Sequence, residues 1–455
     1  MQESPQDILE LAAQSAERIR THLEQDQVGE ALSILTELRE ADQANALSHL
    51  DLSLQRLLFS LLTHEAAGTI LNHIDIDEAV DLVKDVDPIA LGLWLDNANT
   101  NVAAQILRQL PPEKAGHTLE EMSEVDAVLP LLEHADETAG GIMTPEFVAF
   151  KERTSAAEAL SLLRRSHPDP RTMNYLFVVD MWNRLTGLVA LSDLVLADPD
   201  AQLSRLMDPK VIFVAAGTDQ EECARIMRRY DISSLPVVDH HGRLLGAILV
   251  EDVLEVAEEE ATEDMYHMVG LSESERVFSP LGASVRNRLP WLVLNLATVG
   301  LGVAVISAFE STIATLVAIA AFLPVVASQG GVGGTQTLTL MVRGLALGEI
   351  DFNSIKKALA KELVLGLVNG LILGMVVGLV AFAWKGNVAL GLALGLAMVG
   401  NMVMAGLSGV VIPLGLKMLR VDPALASVVF VTTVTDIFGF LLFLGLVALL
   451  LPVLS

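Results

Sequence analysis

The chain has 455 residues, with 29 Lys+Arg against 57 Asp+Glu and a net charge of −28. That length exceeds one ordinary hydrophobic core, and that acidity excludes nucleic-acid binding, which needs a basic footprint. A single cysteine, Cys223, excludes an intrachain disulfide and any cysteine-based metal site.

The N-terminus, MQESPQDILE, has neither a basic segment nor an apolar core, so it is expected to remain in the cytosol rather than act as a signal peptide. Residues 1–137 read as successive amphipathic helices, with breaks at Asp87-Pro88 and Pro111-Pro112. The predicted fold is an all-α superhelical solenoid. Its carboxylates Asp75, Asp77, Glu78, Asp81, Asp85, Asp87 and Asp96 read as solvated surface charge.

A tandem repeat follows. Residues 176–180, LFVVD, recur as LPVVD at 235–239, and Gly187 recurs as Gly246 at the same shift of 59. Upstream, Met143-Thr144-Pro145 recurs as Met207-Asp208-Pro209 at a shift of 64, which places a five-residue insertion around 167–171 in the first copy. Each copy reads strand, helix, strand, turn, strand, helix. The pair, 138–202 and 203–261, resembles tandem CBS domains of α/β fold. The resemblance implies adenosine-nucleotide (ATP) binding through Asp193 and Asp252, although Ala190 and Leu249 stand where that motif carries a hydroxyl.

Residues 251–264, EDVLEVAEEEATED, put Asp252, Glu255 and Glu259 on one helical face, with Glu260, Glu263 and Asp264 beside them. Like charges at that spacing destabilise a helix unless a hard cation such as Mg²⁺ or Ca²⁺ neutralises them. A connecting helix is expected over 262–288.

Residues 289–455 form an α-helical transmembrane bundle. Residues 290–455 carry 7 Lys+Arg and 6 Asp+Glu, so residues 1–289 hold the other 22 and 51. Five apolar segments, 290–309, 313–347, 363–384, 388–419 and 423–453, are each long enough to span a bilayer. With the N-terminus cytoplasmic, Arg286, Arg288, Arg343, Lys356, Lys357, Lys361, Lys417 and Arg420 flank the inner side and Lys385 alone the outer. That satisfies the positive-inside rule and leaves the C-terminus outside. A kink is expected at Pro413, and Asp422-Pro423 reads as the cap and first residue of the fifth span.

Three membrane features stand out. Gly366, Gly370, Gly374 and Gly378 form a stripe that admits a close helix neighbour. Gly330, Gly331, Gly333 and Gly334, within the run 328–336, are expected to break the second span and free carbonyls toward water. Asp436 falls about 20 Å along the fifth span, near mid-membrane, with no basic partner in its segment. A carboxylate at that depth marks an ion path.

The order of domains, the run Gln329-Gly-Gly-Val-Gly-Gly-Thr-Gln336 and the pair 422–427 and 432–436 together resemble the MgtE family of magnesium channels and transporters. The resemblance implies a homodimer in a bilayer with a Mg²⁺ pore on its axis. The pore would be lined by Asp436, Gly330, Gly331, Gly334, Thr335 and Gln336. Regulatory Mg²⁺ would be held by Asp219, Glu221, Asp231, Asp252, Glu255, Glu260 and Glu263. The connecting helix would plug the pore. Members commonly have Asn where this chain has Val332, which leaves other divalents such as Mn²⁺ or Co²⁺ as alternative cargo. A third reading is a non-conducting membrane sensor. No nucleophile–base pairing or phosphate loop points to an enzyme.

Overall fold

The computed structural model describes residues 5–454 apart from 169, 273, 274, 276, 278, 280, 351–353 and 426. The chain divides into two compact units, 1–257 and 258–455.

The first unit opens with a helical solenoid. Its helices run from Pro5–Glu24 to Val125–Leu132, and beyond the first each is short. Helices two apart along the chain pack on one another, stacking Leu47, Phe59, Ile70, Leu82, Leu91 and Leu107 into one continuous core. Several acidic residues expected to be solvated charge also accept hydrogen bonds or pair with a cation. Asp75 and Asp87 cap helices, accepting from the Asp77 and Ile89 amides. Asp96 accepts from the Ser123 and Glu124 amides, Asp85 pairs with Arg56 at 2.6 Å, and Glu78 accepts from Ser48 and Gln55. Pro88 and Pro112 each open a helix, at the two expected breaks.

The repeat folds as two three-stranded sheets. One is ordered β1 (Ala149–Lys151), β2 (Tyr175–Val179), β3 (Leu185–Ala190); the other β4 (Val214–Ala215), β5 (Ser234–Val238), β6 (Leu244–Leu249). In each, the first pair is parallel and the second antiparallel. The hairpins turn on Asn183 and Gly242, equivalent positions at φ +62° and +79°. The copies interlock reciprocally. Leu185 N donates to Gly242 O and Leu244 N to Asn183 O, both at 3.0 Å. Met143, which opens the first copy, packs on Gly246 of the second, and Met207 packs on Gly187 of the first.

The second unit holds, among the described residues, five helices long and apolar enough to cross a membrane. They are Leu281–Ala308, Leu323–Ala346 with its 3₁₀ lead-in Val317–Phe322, Ile355–Lys385, Val388–Met418 and Ser427–Leu454. The glycine stripe of the third span lies along the fourth. A Cβ on Gly374 would sit 2.5 Å from Gly395 O, and one on Gly366 would sit 2.6 Å from Met402 O. Backbones meet there because neither helix has a side chain in the way.

Three expectations are corrected. The glycine run lies inside an unbroken helix, Leu323–Ala346; the irregular stretch comes earlier, at Leu316 and the 3₁₀ turn Val317–Phe322. Helix propensity loses here to tertiary packing, since these glycines are where neighbouring helices touch. Asp422 caps a turn, accepting from Ala424 N at 2.8 Å, and the fifth helix begins at Ser427. The acidic run continues as one helix, Val250–Met268, which stops before Gly270 at φ +75°. The next helix starts at Leu281, and the intervening part of the expected connecting helix includes residues outside those described.

Candidate functional site

An open groove of about 610 Å³ runs between the second and fifth spans. Pro324, Ala327, Ser328, Gly331, Val332, Thr335 and Gln336 line it from the second helix, and Thr432 and Asp436 from the fifth. Ser328, Val332, Thr335 and Gln336 recur at helical steps of four and three, so one stripe of an intact helix supplies that wall. Thr432 and Asp436 are four apart and share a face. The two motifs singled out in the sequence therefore meet at one place.

The wall is sparsely polar. Thr335 donates to Gly331 O at 2.9 Å and Thr432 to Val428 O at 2.9 Å. Both hydroxyls thus satisfy their protons within their own helices and keep lone pairs for a ligand. Among the described residues no side chain is paired with the half-buried Asp436 carboxylate. Val332 faces the groove and is 53% exposed.

Of the residues expected to line a pore, Gly331, Thr335, Gln336 and Asp436 line this groove, while Gly330 and Gly334 do not. Those two are contact points. A Cβ on Gly330 would lie 2.3 Å from Asn401 Nδ2, and one on Gly334 would lie 2.4 Å from Val431 Cγ1. Asn401, from the fourth span, is fully buried; its Nδ2 donates to Val326 O at 2.8 Å and also abuts Gly439 of the fifth. It braces both groove helices from behind. A lone Asn in an apolar helix reads only as a hydrogen-bonding residue, and its two glycine contacts depend on helix rotation that a sequence does not display.

The first unit places the other candidates apart. Asp219 caps the helix Gln220–Tyr230, accepting from Glu221 N at 2.9 Å, with Glu221 in that first turn. Asp231 ends the same helix at φ +52° and is exposed. Asp193 is exposed in the first turn of Leu191–Leu196. Asp252 is the one with a built environment: Asn101 Nδ2 donates to Oδ1 and Leu249 N to Oδ2, both at 3.2 Å. Burial pushes its carboxyl up to about 6, the Leu249 amide opposing and Glu251 adding to the rise. Both oxygens are engaged by protein, which stands against a ribose contact there. Asn101 lies in the helical solenoid, 151 residues away, and no sequence signal linked it to Asp252.

Glu255 is exposed, and Glu260 and Glu263 are half-buried along the helix Val250–Met268. Burial first, then the Asp422 and Glu260 carboxylates, push Asp264 up to about 6. Among the described residues only Glu263, His267 and Asp422 form a group of three with ligand atoms within 4.8 Å of one another.

The comparisons with known proteins cover most of the chain. The MgtE divalent cation transporter family matches residues 323–446, CBS domains match 139–200 and 203–259, and the MgtE intracellular N domain matches 38–137. The chain is 38% identical over 331 residues to the magnesium transporter MgtE of Thermus thermophilus, covering 72% of this chain and 73% of that one. It is 28% identical over 432 residues to the magnesium transporter MgtE of Bacillus subtilis, covering 94% and 96%. A solved structure of the cytosolic domain of the Mg²⁺ channel MgtE in complex with ATP is similar at 33% identity and TM-score 0.49, over 53% of this chain and 99% of that one.

Proposed function

Since the chain belongs to the MgtE family of divalent cation transporters, we propose that it passes Mg²⁺ down its gradient through the membrane and is closed from the cytoplasmic side by Mg²⁺ itself. The relatives that match over most of the chain carry the name of magnesium transporters, whereas inosine-5'-monophosphate dehydrogenase matches over 26% of it only. The observation that carries the reading is Asp436, a carboxylate without a partner among the described residues, facing a groove in a membrane helix bundle.

Mg²⁺ is the substrate. It dehydrates reluctantly and prefers to keep its waters, so the groove needs one anionic group and several weak oxygens rather than a full cage. Asp436 supplies the charge; Thr335, Gln336, Ser328 and Thr432 supply oxygens at its margins. Gly331 leaves room, while Gly330 and Gly334 set the helix spacing. The groove is open on the single chain, and a carboxylate facing lipid is costly. A second copy closing the groove makes the homodimer the conducting form. The eight basic flanks against one favour an acidic unit in the cytoplasm and a C-terminus outside.

Regulatory Mg²⁺ falls on Asp219, Glu221, Asp231, Asp252, Glu255, Glu260 and Glu263. Support comes from Asp252, whose buried carboxyl resists ionisation, a state that a bound cation relieves. Such ions favour a compact, closed arrangement, and their loss releases it. We assign boundaries at 137/138, 202/203, 261/262 and 288/289 between solenoid, two CBS domains, connecting segment and pore domain. Adenosine nucleotide has its remaining candidate contact at Asp193, which is exposed.

Val332 in the groove wall favours one second reading, Mn²⁺ or Co²⁺ as cargo. Proteoliposome flux separates these possibilities. Mg²⁺ entry that falls as internal Mg²⁺ rises to millimolar levels supports the proposal. Flux indifferent to internal Mg²⁺ removes the gating, faster flux of Mn²⁺ or Co²⁺ changes the cargo, and no flux of any divalent makes the protein a sensor.

A further inference from the structure

The two CBS copies diverge after equivalent helices. Ala156–Ser166 ends on His167 at φ +44°, and Gln220–Tyr230 ends on Asp231 at φ +52°. The second copy enters its next strand at Ser234. The first enters only at Tyr175, and its extra residues include a 3₁₀ turn, Pro170–Thr172. Thr172 is buried and seats this turn, while Arg171 is exposed. The Arg171 guanidinium donates to Asn99 Oδ1 of the solenoid at 2.9 Å.

Asn99, Thr100 and Asn101 lie at the start of the solenoid helix Thr100–Gln109, and each meets a different segment of the CBS pair. Asn99 accepts from Arg171, Thr100 donates to Glu146 at 2.8 Å, and Asn101 donates to Asp252. Asn99 occupies the cap position, where an Asn side chain ordinarily accepts from an amide of its own first turn. It makes no such bond and serves Arg171 instead. The contact also brings a cation to a helix N-terminus, the end whose partial positive charge disfavours one. Two local preferences yield here, and what the guanidinium gains is proximity to Asp252. Burial foremost, with Glu251 and Glu255, pushes the Asp252 carboxyl up; the Leu249 amide and the Arg171 charge pull it down.

We propose that Arg171 is a built-in cation at the joint between the solenoid and the CBS pair, and that it sets how much Mg²⁺ the regulatory site at Asp252 requires. This role rests on the reading, given above, of Asp252 as a regulatory Mg²⁺ ligand. Each Asp252 oxygen accepts one hydrogen bond and keeps lone-pair capacity for an ion. The guanidinium offsets part of the carboxylate charge when no ion is bound, and it repels the dication that arrives. A dication feels a fixed charge twice as strongly as a single charge does. At surface dielectric and physiological salt, one neighbouring guanidinium therefore weakens Mg²⁺ binding by roughly three- to tenfold. The extra turn of the first CBS copy thereby raises the cytosolic Mg²⁺ at which the path closes. Because Arg171 is exposed, its charge can be changed without disturbing a core.

The test measures Mg²⁺ binding to the full chain in nanodiscs by calorimetry, with Asp252→Asn as the reference that lacks this ion. Arg171→Gln should tighten the Asp252-dependent Mg²⁺ by roughly three- to tenfold, and Arg171→Glu should tighten it further. Arg171→Lys, which keeps the charge but not the shape, should stay within about twofold of the native protein. In proteoliposomes, the internal Mg²⁺ that halves flux should fall in the same order. In the Asp252→Asn background the Arg171 series should change nothing. Equal affinity in the Arg, Gln and Glu proteins overturns the role, and so does weaker binding in Arg171→Gln. An Arg171→Lys protein that behaves as Arg171→Gln, or an effect that persists in Asp252→Asn, reduces Arg171 to a structural contact and overturns it as well. Absence of Asp252-dependent Mg²⁺ from all four proteins also overturns it. Binding that follows the charge series in proteins whose flux ignores internal Mg²⁺ overturns the gating reading and leaves the role of Arg171 at the ion standing.

Discussion

Asn401 Nδ2 donates to the Val326 carbonyl at 2.8 Å, from a fully buried side chain lodged between Gly330 and Gly439. One residue of the fourth span thereby fixes how the second and fifth spans approach, and so the width of the groove they line. Its Oδ1 is buried and has no hydrogen-bond partner among the described residues, a cost accepted for the brace.

Gly330 should therefore tolerate no side chain. Gly330→Ala forces a Cβ to within 2.3 Å of Asn401 Nδ2 and should cost about 1–3 kcal/mol. At Gly331 the nearest atom to a new Cβ, Thr432 Cγ2, is an ordinary 3.4 Å away, so Gly331→Ala should keep near-native stability. Thermal unfolding of both variants in the same detergent checks the difference. Equal losses would mean that the brace is not where the packing is tight.

Asp252 predicts a pH dependence of definite sign. Its folded-state pKa is raised from 3.8 to about 6, so the folded chain holds a proton that the unfolded chain has lost between those values. Stability from this group is full below about pH 4 and declines as pH rises through 6. Without divalent cations, the stability difference between native protein and Asp252→Ala should change by about 1–3 kcal/mol across that window, against the native protein at higher pH. Added Mg²⁺ should reduce the decline if it binds there. A difference that is flat with pH would show the carboxyl to be solvated.

Val332 tests what polarity in the groove wall does. It is exposed to the groove and offers a hydrated ion no hydrogen bond. Val332→Asn adds a donor and acceptor on the same face and should raise the preference for Mg²⁺ over Mn²⁺ and Co²⁺ severalfold in competition flux. An unchanged preference would locate selectivity elsewhere on the path.

Much of this architecture was legible because it repeats or is extreme in composition. The five spans, the third-span stripe and the tandem repeat all declare themselves by period or by length. Asp436 declared itself by cost alone. What stayed hidden depends on rotation and long-range contact. The glycines at 330–334 look like a helix break when read by propensity, yet packing against Asn401, Met402 and Val431 keeps them helical. The meeting of Asn101 with Asp252, and of His267 with Asp422, joins segments more than 150 residues apart. Asp422 itself reads locally as a cap, which it is for its turn, and nothing nearby announces the imidazole it also faces.

The central claim is that Asp436 is the charged group of the ion path. Mg²⁺ flux into proteoliposomes containing Asp436→Ala, inserted and folded as the native protein is, measures it directly. We predict loss of flux to the level of empty vesicles even with no internal Mg²⁺ to close the path. Flux retained near the native rate would contradict the account and take Asp436 out of the pore.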